Sequence, residues 1–191
     1  MKEKIINLLN ESIKVKQLYL HNDTQLDILL KVIEKIIDCY KKNKKLIVFG
    51  NGGSAADAQH FVAELVGRFK KERKPLKAIS LTTNTSTITA LANDYGYDVS
   101  FSRQLEAFAE EGDVVVGIST SGNAANVLKA IEVAKNLDCI TVGLTGEKGG
   151  KLKDVVDYCI NVPTNDTPRI QELHITIIHI ICDLVEQKIF G

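Results

Sequence analysis

Neither sign of charge prevails in this chain: 24 Lys and Arg balance 24 Asp and Glu among 191 residues, for a formal net charge of zero. A broad nucleic-acid footprint needs a basic excess on one face, so no nucleic-acid partner is expected. The local runs KKNKK at 41–45 and KKERK at 70–74 read as solvated helix ends. Cysteine is sparse and unpatterned. Cys39, Cys139, Cys159 and Cys182 have no CxxC spacing and lie in apolar stretches, as buried thiols of a reducing compartment do, rather than disulfides or a zinc knuckle. Three prolines supply no proline-rich hinge, and no repeat or low-complexity tract interrupts the chain. The N-terminal MKEKIINLLNESIKVK lacks the continuous apolar core of a signal peptide. The longest apolar run, ITIIHIICDLV at 175–185, is too short to span a bilayer and is broken by His179 and Asp183. A cytoplasmic protein with no membrane partner is the expectation.

What is present is an alternation of patterns. Residues 1–43 read as two helices: Leu26, Leu29, Ile33, Ile36 and Ile37 fall at helical spacing, and Asn22, Asp23 and Thr24 offer a break with capping side chains. Short runs rich in β-branched residues follow at 46–50, 78–81, 114–119, 140–144 and 158–162. Most are apolar on both faces, as strands of a covered parallel sheet are. Helical segments are expected between them at 54–67, 84–92, 100–110 and 124–136, with a last one at about 168–189. The expected fold is α/β, a doubly wound five-stranded parallel sheet flanked by helices. Residues 1–191 would form a single domain, with the N-terminal helical pair packed on the core.

In such sheets ligands bind beyond the carboxyl ends of the strands, and two loops there carry unusual chemistry. GNGGSA at 50–55 fits the dinucleotide pattern G-x-G-x-x-A. A dinucleotide site also wants an acidic residue about 20 positions on. Here the second strand runs into ISLTTNTS, with no carboxylate, and the loop lacks the Lys-Ser/Thr ending of a P-loop. A glycine turn that merely eases a tight corner remains a competing reading. STSGN at 119–123 sets three hydroxyls and a glycine where a strand hands over to a helix, a ready phosphate site. Ser121 or Asn123 would equally serve there as a simple helix cap. His60 and Glu64, four residues apart, project together from one helix face, as metal ligands or an acid–base pair do. Alone, His60 would more often be a satisfied structural histidine. A second cluster, Gln171, His174 and His179, lies on the largely apolar last helix, where polar side chains are costly unless paired.

Taken together, GNGGSAADAQHFVAEL, ALANDYGY, FSRQLEA, GDVVVGISTSGNAANV and RIQELHITIIHIICDL resemble the phosphoheptose isomerases of the sugar-isomerase (SIS) superfamily, in matching order from about residue 1 to 189. The resemblance implies a cytoplasmic homotetramer with active sites at subunit interfaces. It would convert sedoheptulose 7-phosphate to D-glycero-D-manno-heptose 7-phosphate through an enediol(ate), the first step toward activated heptose for lipopolysaccharide or capsule. It implies one Zn²⁺ per subunit, held by His60, Glu64, Gln171 and His179, with Glu64 and His179 moving protons. Glu64, among apolar neighbours such as Ala63 and Leu65, would act as the base and His179 as the shuttle. Asn51, Gly52, Gly53, Ser54, Asn93, Asp94, Ser119, Thr120 and Ser121, with Glu64 and Gln171, match substrate-contacting positions. Ala124 departs from the family, many members of which carry there a Ser that contacts the phosphate. Non-catalytic paralogues that bind the bacterial replication initiator lack the pair matching Glu64 and His179, and both are present here.

Helix geometry adds one expectation. Gln171 and His179 are eight residues apart, about 12 Å along one helix and about 80° apart in direction. One straight helix therefore supplies both to a single ion only with strain, and the two are expected to come from different subunits.

Overall fold

The computed structural model describes residues 1–191. The N-terminal pair is α1 (Lys2–Leu20) and α2 (Asp23–Lys41). His21 ends the first and Asn22 caps the second, its side chain accepting from the Gln25 N–H at 3.1 Å. The α/β part runs β1 (Leu46–Gly50), α3 (Gly53–Val66), β2 (Ala78–Ser80), α4 (Thr85–Tyr95), a 3₁₀ turn (Tyr97–Val99) and α5 (Ser102–Phe108). It continues through β3 (Val114–Ile118), α6 (Ala125–Asn136), β4 (Ile140–Thr145), α7 (Leu152–Val155), β5 (Tyr158–Asn161) and α8 (Thr167–Phe190). The five strands are all parallel, in the order β2-β1-β3-β4-β5.

Side chains alternate across a strand, and β1 shows what that does here. Leu46 and Val48 enter a core built with α2, α3 and α8, while Ile47 and Phe49 enter a second core built with α5, α6 and α7. Val114, Val116 and Ile118 of β3 join the first layer and Val115 the second. Both faces are covered, which is why β1 and β3 are buried along their whole length. Each large side chain buried this way contributes about 1.5–3 kcal/mol.

The expected elements are present with shifted ends. The helix expected at 84–92 runs on to Tyr95, and that expected at 100–110 shrinks to 102–108, preceded by a 3₁₀ turn at 97–99 and a turn at 100–101. The four-residue α7 has no counterpart in the sequence reading. Two surfaces are conspicuously open. No residue of α4 is buried, and α1 leaves Ile5, Leu8, Leu9 and Ile13 about half exposed, at 52–59%. An apolar groove of about 350 Å³ runs between α1, α2 and α8. No helix is long and apolar enough to cross a membrane.

Connections leave β1 in opposite directions, β2 on one side and β3 on the other. That reversal opens a crevice at the carboxyl ends of β1 and β3. Both loops singled out in the sequence border it.

Candidate active site

His60 and Glu64 lie one turn apart on α3, and His179 reaches them from α8, which packs alongside. His60 Nε2 stands 2.9 Å from Glu64 Oε1 and 3.3 Å from His179 Nε2. Two imidazole nitrogens and a carboxylate oxygen thus face one point, all three ligand atoms within 4.8 Å of one another. Such a group needs a proton or a cation between its members. A tetrahedral zinc site with bonds of about 2.0–2.1 Å has ligand–ligand edges of about 3.3 Å, so the spacing and the N/O donor set both fit zinc. The triad is not deeply buried: the side chains of His60 and Glu64 are 43% and 23% exposed. Glu64 faces α8 while Phe61 and Leu65 face the core. Ala63 is exposed, so the apolar surround expected for Glu64 is only partly present. The Phe69 ring stands 5.8 Å from that of His179 and supplies part of it from the following turn.

Gln171 is placed elsewhere. Its amide lies over the start of α3, where a Cβ on Gly53 would come within 2.5 Å of its nitrogen. Gly53 is seven residues before His60 on the same helix, about 10 Å away along the axis. Within one chain the structure therefore assembles three of the four expected ligands. His174, the other imidazole of that cluster, is fully buried and its Nε2 lies 3.3 Å from the Thr145 carbonyl. Burial pushes its pKa down to about 4, against that hydrogen bond. It is a neutral structural residue.

The glycine loop after β1 is held from the other side of the crevice. Asn51 and Asn126 exchange amide hydrogen bonds at 2.9 Å in both directions, and Tyr97 Oη donates to Asn51 Oδ1 at 2.9 Å. Asn126, on the first turn of α6, is 3% exposed. Gly52 sits at the α3 N-cap with φ +57°, in the left-handed region that favours glycine. Ser54 is buried beneath the loop, and Asn93 and Asp94 lie exposed at the end of α4, bonded to each other at 2.8 Å. Tyr97 links their segment to Asn51. Asn126 and Tyr97 went unnoticed in the sequence because nothing local marks a partner 75 or 46 residues away.

In the loop after β3, Ser119 is buried, Thr120 half-buried and Ser121 exposed. Neither Ser121 nor Asn123 caps α6, which corrects the capping alternative. Ser121 Oγ accepts from the Asn123 N–H, and Asn123 spends its amide on Ser121 O and the Lys151 N–H. The N-cap is Ala124, which has no side-chain bond to offer, so the first-turn N–H groups of α6 stay open to an anion. The loop is braced by 146–152: Gly146 N–H donates to Thr120 O and Leu152 N–H to Gly122 O. Gly122, Gly149 and Gly150 all have positive φ, and a Cβ on Gly122 would collide with the Gly149 carbonyl.

Asp57 is a further group that the sequence reading passed over. It lies one turn before His60 on α3, and its Oδ2 is buried without a partner. Burial pushes its carboxyl up to about 6, the charge on His60 opposing.

Comparison with known proteins follows the same lines. The SIS domain family model matches residues 14–146. A phosphoheptose isomerase of Geobacter metallireducens is 63% identical over 155 residues, 81% of this chain and 82% of that one. A probable phosphoheptose isomerase of Thermoplasma acidophilum is 61% identical over 160 residues, 84% and 88% of the two chains. The solved structure of the phosphoheptose isomerase from Neisseria gonorrhoeae superposes with a TM-score of 0.92 at 42% identity, covering 97% of this chain and 98% of that one.

Proposed function

The chain belongs to the SIS-domain family and, within it, to the phosphoheptose isomerases, and from that membership we infer that it interconverts sedoheptulose 7-phosphate and D-glycero-D-manno-heptose 7-phosphate. The observation that carries the reading to particular atoms is the convergence of His60, Glu64 and His179 on one point. An aldose–ketose isomerase moves one proton between C1 and C2 and another between the two oxygens. Glu64 takes the C1 proton of the ketose and returns it at C2. One of its oxygens faces His60 while Oε2 has no protein partner, which suits that work. His179 manages the oxygen proton, as an imidazole does near neutral pH. Each such group contributes about 10²–10⁴-fold.

The triad would hold one zinc ion per subunit, with Gln171 as a weaker amide ligand. When bound, the metal supplies Lewis-acid polarisation of the substrate oxygens. The open N–H groups of α6 and the hydroxyls of Ser119, Thr120 and Ser121 receive the phosphate. Asn51, Gly52, Gly53, Ser54, Asn93 and Asp94 line the way to the sugar. The whole chain acts as one SIS domain in this reading, and its assembly is a homotetramer with sites at subunit interfaces. The half-exposed apolar residues of α1 and the bare α4 support that assembly. Four free cysteines, with burial pushing Cys39 and Cys139 up to about 11, suit a reducing cytoplasm. The non-catalytic paralogue reading is not favoured, because relatives at 61–63% identity carry the isomerase name. The product would enter activated-heptose synthesis for lipopolysaccharide or capsule.

Incubation with sedoheptulose 7-phosphate should produce the aldose, lose most of its rate after treatment with a chelator, and recover when zinc returns. Folded, zinc-loaded protein that yields no aldose overturns the reading. Position 124 gives a second test. Ala124→Ser places a hydroxyl at the N-cap of α6, and stability should rise by about 1 kcal/mol. KM should fall by no more than about tenfold, the worth of one neutral hydrogen bond at roughly 0.5–1.5 kcal/mol. A raised melting temperature with unchanged KM would show that the hydroxyl caps the helix without meeting the phosphate.

A further inference from the structure

Beyond the triad, the turn after α3 and the end of α8 build a second knot with no role in the mechanism above. Glu186 is 1% exposed. Its carboxylate accepts from three consecutive backbone N–H groups, Phe69 at 3.0 Å and Lys70 and Lys71 at 2.8 Å, and from Arg73 Nε at 2.9 Å. The Arg73 side chain is 2% exposed. Its Nη2 donates to the Glu64 carbonyl at 2.8 Å, and its Nη1 to those of Leu65 and Gly67 at 2.8 and 3.1 Å. The first two are last-turn carbonyls of α3, which a helix leaves without partners of its own, and Gly67 is its C-cap.

The knot therefore joins the two helices that form the triad. Arg73 grips the end of the helix bearing His60 and Glu64, through the carbonyl of Glu64 itself. Glu186 belongs to the helix bearing His179, seven residues further on, about two turns and nearly in line. Asp183 lies between them and takes Lys70 Nζ at 2.6 Å. The turn after α3 is thus clasped along the same stripe of α8 that presents His179, with Phe69 set beside that imidazole. For stability alone, a buried ion pair offers little over an apolar pair of similar volume. What charged, directional bonds add is a fixed distance between two backbones.

We propose that Arg73 and Glu186 are positioning residues, which set the separation of α3 and α8 so that His60, Glu64 and His179 converge on one metal ion. The proposal rests on the metal reading above and deepens it.

The test uses full-length protein stripped with a chelator and titrated with Co²⁺, whose visible bands report the geometry of its ligands. Wild type should bind Co²⁺ with the bands of a four-coordinate N/O site. Glu186→Gln, which keeps the shape and removes the charge, should bind about 10–100-fold more weakly, with weakened or shifted bands, as loss of a ligand-orienting partner does. Arg73→Lys, which keeps the charge and loses the fork, should do the same, and serves if Glu186→Gln does not fold. With saturating metal both should lose kcat and keep KM. Val142→Ala, in the fully buried centre of β4, is the control for mere destabilisation: it should lower the melting temperature and leave the Co²⁺ affinity and spectrum unchanged. A folded Glu186→Gln or Arg73→Lys with wild-type affinity and bands overturns the proposal. So does a Val142→Ala protein that loses Co²⁺ as they do. Wild type that binds no Co²⁺ overturns the metal reading itself, a separate and recognisable result.

Discussion

Glu64→Gln should lower turnover by about 10²–10⁴-fold while leaving the fold intact, the range that one positioned acid–base group contributes. The substitution is nearly isosteric, and Glu64 is only partly buried. An amide oxygen can still accept from His60, so the local hydrogen bond survives. Basicity and negative charge do not. Because Glu64 is also a proposed zinc ligand, the variant confounds two losses, and zinc titration separates them. If Glu64 only helps hold zinc, saturating metal restores the rate. If it carries the proton, the loss persists at full occupancy, and that persistence is the expected result. His179→Ala should show a loss of similar size, since it removes the imidazole that closes the triad at 3.3 Å. Near-normal turnover in folded Glu64→Gln would remove Glu64 from the mechanism.

Mixing two dead variants should restore activity. Gln171 lies over Gly53, while His179 meets His60 two turns along the same pair of helices. In one chain the two cannot serve one ion without rebuilding α8. If a site instead takes Gln171 from one subunit and His179 from another, Gln171→Ala and His179→Ala each spoil every site in their own homo-oligomer. After subunit exchange at equal amounts, about one quarter of sites would receive both intact side chains. Recovery toward a quarter of wild-type activity is therefore expected, read against each parent alone. Verified mixed oligomers that stay as inactive as the parents would place the whole site within one chain and leave Gln171 as a residue of the glycine loop.

The sheet was readable because its strands are short, β-branched and bounded by turn residues: VVVGI has apolar side chains for both faces, as a covered strand does, and is too short to be a buried helix. The ends of elements were less readable. α4 runs on to Tyr95 because what stops it is Gly96, at φ +90°; the apolar spacing alone stops earlier. Four residues of α7 are too few for a period. In the site, His60 and Glu64 were legible from spacing on one helix. His179 became a candidate through its costly place in an apolar run, and the structure brings it to them. Arg73 and Glu186 were not legible. They are 113 residues apart, and in the sequence one belongs to a basic run and the other to an ordinary helix end. Only the folded chain distinguishes a solvated Lys70 from a buried Arg73.

The interlocked glycines of 122 and 149–150 have a consequence for changing what this protein accepts. Where main chain rests directly on main chain, no side chain is left to be exchanged, and a new methyl displaces both loops together. If the loop receives the phosphate as proposed, its main-chain mould is nearly closed to gradual variation, while its lining at 119–121 and 124 remains free to vary. Redesign toward another acidic group should leave the glycines untouched and work through those four positions, and natural drift faces the same restriction.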